Sequence, residues 1–220
     1  MSFFYPLMLD VSNRLIVIVG GGLVGGRKAR GLVDAGAGRI RVVSLEFTEP
    51  FPENVEMIHS PFEPAHLRDA GLVFACTDNR HVNDAVVREA RRLGVLVNRA
   101  DVDDDLAGDF STPALYRDGS ITIAVATSGV PGLATDIRDE LAKYMQPGWV
   151  KLSDAMAKIR PIVKSQSHLS PGQRRDIFKT LASSEAMHTL EASDAFGLWN
   201  WLKLKYPELA DLTESQKQSI

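Results

Sequence analysis

Leu15-Ile16-Val17-Ile18-Val19-Gly20-Gly21-Gly22-Leu23-Val24-Gly25-Gly26-Arg27-Lys28-Ala29 is an apolar run that breaks into glycines and resumes as a helix-forming segment. The run is short, aliphatic and rich in β-branched residues, as in a strand buried on both faces. Gly20, Gly22 and Gly25 fill the G-x-G-x-x-G spacing of a dinucleotide-binding strand–turn–helix. Each glycine has its own task. Gly20 permits the tight turn, Gly22 lets a pyrophosphate approach the backbone, and Gly25 lets the helix pack close to the strand. The phosphates would lie over the unpaired N–H groups at the helix N-terminus, where the dipole favours negative charge.

Moving outward, Ala35-Gly36-Ala37-Gly38 closes the helix and Arg39 to Ser44 reads as the next strand. NAD enzymes of the common kind end this strand in Asp or Glu, which binds the ribose 2′-OH. Here Ser44 holds that place, followed by Leu45 and Glu46. Either Glu46 reaches the ribose from one turn later, or Ser44 and backbone amides hold it. No arginine follows Ser44 to pair with a 2′-phosphate, so the expected cofactor is NAD rather than NADP.

Strands and helices then alternate, as in a doubly wound α/β domain. Val55 to Ile58 is a short third strand, Glu63 to Leu67 a single helical turn, and Gly71 to Cys76 a buried fourth strand. The segment His81 to Leu93 sets Val82, Ala85, Val86 and Ala90 on one helical face, and Val95 to Asn98 is the fifth strand. Thr77 and Asp78 therefore sit at a strand's C-terminal end, where ligands of open α/β sheets bind. Past the acidic loop Arg99 to Asp105 the pattern changes. Phe110 to Tyr116 and Ser120 to Thr127 read as strands joined at Arg117-Asp118-Gly119. Ser128-Gly129-Val130-Pro131-Gly132 ends the second, and a helix runs from Leu133 to Met145 with Leu133, Ile137 and Leu141 at helical spacing. Pro147-Gly148 stops it. The remainder is helical, with Leu152, Met156, Ile159 and Val163 on one stripe and a capping box at Ser170-Pro171-Gly172-Gln173.

Composition sets the outer limits. With 220 residues, 45% of them hydrophobic, the chain can bury a full core, and a net charge of −3 argues against nucleic acid as a partner. A single cysteine, Cys76, excludes a disulfide framework and reads as an apolar filler. The start, Met1-Ser2-Phe3-Phe4-Tyr5-Pro6, lacks signal-peptide features, and no apolar run reaches membrane-spanning length. A cytoplasmic protein with no membrane contact is the expectation.

Four segments in order make the chain resemble the precorrin-2 dehydrogenase family, the NAD-dependent module of siroheme synthesis. They are Val19 to Val24 with Arg27-Lys28-Ala29; Ala75-Cys76-Thr77-Asp78 with Val82-Asn83; Val97-Asn98-Arg99-Ala100-Asp101; and Ile121 to Thr127 leading into Ile137-Arg138-Asp139-Glu140-Leu141. The resemblance runs from about Phe4 to Val163. It implies an NAD-binding Rossmann domain over residues 1–112, a strand-and-helix dimerisation region over 113–148, and a C-terminal helical region over 149–220. It also implies a homodimer that oxidises precorrin-2 to sirohydrochlorin, and some members of the family add a ferrochelatase activity. No methyltransferase domain follows, so the stand-alone form is expected.

The resemblance further implies that the backbone at Leu23 and Val24 meets the pyrophosphate, that Leu45 and Glu46 lie beside the adenosine ribose, and that Thr77 and Asp78 lie near the cofactor's middle. Asp101 matches the family's catalytic aspartate. Its chemistry agrees, because the oxidation removes a hydride and a proton, and a carboxylate can take the proton. Acidic neighbours are expected to raise its pKa. Ser128 and Arg138 are expected to meet the substrate, with Lys143, Lys151, Lys158 and Arg160 as further cations for its carboxylates. The loop at Ser128 is one residue shorter than the family's.

Blander readings stand beside these. Asp103, Asp104 and Asp105 read as a solvated loop, since Leu106 and Thr112 stand where an EF-hand needs glycine and glutamate. The five histidines show no metal-ligand spacing, so no metal site is expected. Trp199 and Trp201, with Phe196, read as anchors of the last helix. A short-chain dehydrogenase is disfavoured, because Tyr144 and Tyr206 have Gly148 and Ala210 four residues on instead of lysine. An NAD-sensing module without catalysis is the alternative of another class.

Overall fold

The computed structural model describes residues 5–101 and 106–220. The expected acidic loop of Asp103, Asp104 and Asp105 lies outside the described residues. The chain divides into two compact units, Met1–Thr112 and Pro113–Ile220.

The first unit holds a five-stranded parallel sheet in the order β3-β2-β1-β4-β5, the Rossmann arrangement. The strands are β1 (Leu15–Gly21), β2 (Arg39–Phe47), β3 (Val55–His59), β4 (Ala70–Ala75) and β5 (Val97–Arg99). All of β1 is buried, and its alternation feeds two cores. Leu15, Val17 and Val19 pack with Val86, Val87 and Ala90 of α2 (Arg80–Arg92). Ile16 and Ile18 pack with Ala29 of α1 (Leu23–Asp34) and with Leu72 and Phe74. Each such buried aliphatic is worth about 1.5–3 kcal/mol in transfer free energy. The helices cover both faces of the sheet, which is why its central strands β1 and β4 read as unbroken apolar runs. On α2 the buried face is Asn83, Val86, Val87 and Ala90. Ala85, expected on that face, is exposed because it lies a half-turn away.

The second unit begins with an antiparallel hairpin, β6 (Ala114–Asp118) and β7 (Ile121–Val125). Its turn is Gly119-Ser120, with Gly119 at φ +51°, one step beyond the expected Arg117-Asp118-Gly119. The expected strand start at Phe110 is not found. Leu106 to Phe110 instead folds back on β5, where Asp109 N–H donates to Val97 O (2.7 Å) and Asn98 Nδ2 to Phe110 O (2.8 Å). Helix α3 (Pro131–Lys143) packs on the hairpin and starts two residues early, because Pro131 takes the first helical position. Pro147 likewise opens α4 (Pro147–Ser165), so the Pro-Gly pair begins a helix. Helices α5 (Pro171–Leu181), α6 (Ser184–Ala192), α7 (Ala195–Lys205) and α8 (Glu214–Ser219) follow. The capping box at Ser170 and Gln173 is formed. Ile159, Val163, Ile177, Leu181, Leu198, Trp199 and Leu202 form this unit's core. Trp201 packs against it, but Phe196 is exposed, on the outer side of α7. Among the described residues, no helix is long and apolar enough to cross a membrane.

Candidate functional site

The C-terminal ends of the parallel strands bring four segments to one sheet edge. At the end of β1, Gly20 adopts φ +124°, and a Cβ there would lie 2.6 Å from Cys76 O. A Cβ on Gly25 would lie 2.0 Å from Gly20 O, so the first turn of α1 seats directly on the strand end. Gly22 differs. It is the N-cap of α1 and makes no side-chain cap, and a Cβ on it would meet only Thr48 Oγ1, at 3.9 Å. The side above Gly22 is open, and among the described residues no side chain caps the first-turn N–H groups of α1. This cradle fits a phosphate.

The next strand does not end at Ser44. β2 continues through Leu45 and Glu46 to Phe47, which pairs with Gly21 after a register shift. The physical cause is Gly21, where a Cβ would lie 2.3 Å from Glu46 O. Thr48 N–H then donates to Gly21 O (3.1 Å). Leu45 and Glu46 are left exposed on the strand end that flanks the glycine turn, while Ser44 is half-buried and its carbonyl accepts from Ser60 N–H (3.1 Å).

Past β4, Thr77 and Asp78 lead into α2. Asn83, fully buried, holds this loop: its Nδ2 donates to Thr77 O (2.9 Å), while its Oδ1 accepts from Thr77 Oγ1 (2.7 Å) and Thr77 N–H (3.2 Å). Asn79 caps α2 by accepting from the N–H groups of His81 and Val82. The Asn83 side chain also acts on Asp101, the residue two past β5, by lowering its pKa.

Asp101 itself is clamped. Arg99, with its side chain only 1% exposed, donates Nε to Asp101 Oδ1 (2.8 Å) and Nη2 to Oδ2 (2.9 Å). Its Nη1 donates to Asp84 Oδ1 (2.6 Å) and to Leu106 O (3.0 Å). The Asp101 pKa is therefore lowered: the Arg99 hydrogen bonds pull it down, burial opposes them, and the Asn83 hydrogen bond adds to the lowering. The expected raising by acidic neighbours is corrected here, because a bidentate guanidinium in contact is the larger influence. Arg99 was legible in principle, since residues i and i+2 of an extended segment point the same way.

Lys28 is a further residue that the glycine motif does not announce. Its Nζ donates to Thr112 Oγ1 and lies 5.7 Å from the Phe74 ring centroid. Burial lowers its pKa. Buried Cys76 stands close by, and burial pushes its thiol up to about 11 against the pull of Lys28 and Arg27.

Ser128 and Arg138 belong to the second unit. Ser128 is exposed in the turn before α3. Arg138 is engaged with the Asp139 carboxylate (2.6 Å) and with Leu115 O (3.3 Å). Among the described residues, no group of three His, Cys, Asp or Glu side chains could hold a metal ion.

Fold and cradle together define a nucleotide-binding unit of the Rossmann class, and residues 7–114 match the family described as "Putative NAD(P)-binding". Siroheme synthase of Chromobacterium violaceum is 36% identical over 169 residues, covering 74% of this chain and 35% of that protein. Siroheme synthase 1 of Aeromonas salmonicida is 31% identical over 190 residues, covering 84% and 40% respectively. The solved structure of SirC, precorrin-2 dehydrogenase, superimposes with a TM-score of 0.73 at 20% identity, over 92% of this chain and all of that one, and so shares its fold. The chain belongs to the siroheme synthase/precorrin-2 dehydrogenase family. It spans about two-fifths of the length of these curated relatives.

Proposed function

We propose that this chain oxidises precorrin-2 to sirohydrochlorin with NAD, and that Asp101 accepts the proton. The observation that carries the reading is the placement of a fixed carboxylate after β5, on the same sheet edge as the open Gly22 cradle. Bound NAD supplies the hydride acceptor. The chain's own residues do the rest. Gly22, Leu23 and Val24 present backbone N–H groups to the pyrophosphate, and Glu46, exposed at the end of β2, favours a ribose hydroxyl over a 2′-phosphate. Arg99 holds the Asp101 carboxylate in one orientation, and Arg99 with Asn83 keeps it ionised. That pairing weakens Asp101 as a base, and positioning offsets the loss, since a well-placed acceptor needs no reorganisation. Its side chain is 30% exposed, so the proton can leave to solvent.

We also infer self-association through the hairpin and α3. Leu133, Ile137 and Leu141 line one side of α3 and are 49%, 39% and 43% exposed. Such a stripe on a short hairpin-and-helix element fits a second copy better than water.

The test is an anaerobic assay of precorrin-2 with NAD. Asp101→Ala should lower turnover by about 10²–10⁴-fold, with NAD affinity unchanged by calorimetry. Adding Fe²⁺ to the product tests metal insertion, where the same variant should lose activity if Asp101 also takes the pyrrole protons. NAD binding without any turnover by the wild-type chain would favour a sensing module instead.

A further inference from the structure

The cations beyond Leu133 fall into two sets. Arg138 and Lys143 are neutralised locally by Asp139 and Glu140, and Lys158 donates to Ile220 O. Arg160 and Lys164 on α4, with Arg174 and Arg175 on α5, have no carboxylate partner among the described residues. Lys164, Arg174 and Arg175 line an open groove of about 530 Å³ with Pro171 and Phe178. The Arg160 guanidinium lies 5.0 Å from the Phe178 ring centroid.

Ordinary surface charge explains only part of this. Lys164 sits in the last turn of α4, where a cation suits the helix dipole. Arg174 and Arg175 have no such reason, because they stand close to the positive end of α5. Arg174 donates Nη2 to Gln166 O (2.9 Å), yet its Nε–H is buried without an acceptor. That N–H lies beneath the surface, so what the groove offers a ligand is the charge of Lys164, Arg174 and Arg175, none of which has a carboxylate partner among the described residues. The α5 N-terminus is already capped by Ser170 and Gln173, so the guanidinium forks are the available donors.

We propose that this groove binds a polycarboxylate built on a flat aromatic or macrocyclic ring. Guanidinium forks match carboxylates, and Phe178 with Arg160 offers a stacking surface beside them. The volume falls within the range of small-ligand sites. A nucleic-acid strand is disfavoured, because the cations are confined to facing turns of two helices rather than set along a track. The ligand class rests on the function proposed above, whose substrate and product are macrocyclic polycarboxylates; the groove itself does not depend on it.

The experiment titrates the full chain with uroporphyrin, an octacarboxylate porphyrin, by fluorescence quenching. The wild type should bind at the groove, and Lys164→Gln/Arg174→Gln/Arg175→Gln should lose that site, weakening it at least tenfold with an unchanged thermal melt and unchanged NAD affinity. Should the triple variant misfold, Arg175→Gln alone, at an exposed position, should weaken binding about threefold. Phe178→Leu should weaken uroporphyrin but leave the open-chain butanetetracarboxylate unaffected. A chain that fails to turn over precorrin-2 should still lose uroporphyrin binding in the groove variants, which separates this inference from the catalytic one. Binding within twofold of wild type in the well-folded variants would overturn it. So would butanetetracarboxylate binding as tightly as the porphyrin, or single-stranded RNA binding more tightly.

Discussion

Every residue of β1 is buried, whereas no residue of the β6–β7 hairpin is. β1 lies between two helical layers, so its seven residues divide between two cores and its sequence reads as a solid apolar run. Within the second unit α3 packs on the hairpin strands and α4 meets its turn, where Ser120 N–H donates to Asp154 Oδ1 (3.1 Å), and α3 buries only Ala134. A lone two-stranded hairpin is marginal in water. The first region completes its own core, while the second leaves Leu133, Ile137 and Leu141 of α3 exposed. The contrast is the ground for the self-association proposed above: the glycine cradle lies on the region that covers its own apolar strands, and the exposed stripe of α3 on the region that does not.

In the first region the largest effect should come from a single added side chain. Gly25→Val would drive Cβ into Gly20 O and separate α1 from β1. We expect a loss of about 4 kcal/mol or more, seen as insoluble or unfolded protein, because overlap with backbone cannot relax cheaply. Gly22→Val, three residues away, should leave the thermal melt within a few degrees and abolish NAD binding by calorimetry, since the space above Gly22 is open to a ligand. If both variants unfold, or both bind NAD normally, the division of labour between these glycines is wrong.

A smaller effect is expected from charging the second region. Ile137→Asp with Leu141→Asp should turn a dimer into a monomer in sedimentation equilibrium at micromolar concentration. NAD affinity should be retained, because the cradle belongs wholly to the first unit. A wild-type chain that sediments as a monomer across that range would falsify the self-association reading.

The same contrast explains what was legible in the sequence. Local relations were readable: the glycine spacing, the capping box at Ser170, the helical repeat of Leu133, Ile137 and Leu141. Relations across the chain were not. The run of β2 past Ser44 depends on Gly21 lacking a side chain opposite Glu46. A Cβ on Gly108 would lie 2.6 Å from Arg99 N, so only glycine lets the chain fold back on β5 where a new strand was expected. Asn83 was legible as part of a family segment but not in its task, and its hydrogen bonds to Thr77 show what a polar residue on that apolar helix face is for. Arg99 reads as an ordinary charge in sequence, and burial turns it into the residue that sets the Asp101 carboxylate.

The smallest expected effect is none, and it tests that last point. With its pKa lowered by Arg99, Asp101 stays ionised throughout the range above the usual carboxylate value of about 3.9. A depressed folded-state pKa contributes stability that is present above the unfolded value and is lost as pH falls through the folded one. Between pH 5 and 8, then, Asp101 should impose no slope on stability and no acid limb on kcat. Replacing its partner by Arg99→Gln should move an acid limb upward toward neutral pH, because burial then acts on the carboxylate without the opposing guanidinium. Asp84 would lose the same partner, so some stability should go as well, and the pH profile rather than the rate is the informative readout. An acid limb already present at pH 5–6 in the wild type, and unmoved by Arg99→Gln, would mean that another group governs the proton step.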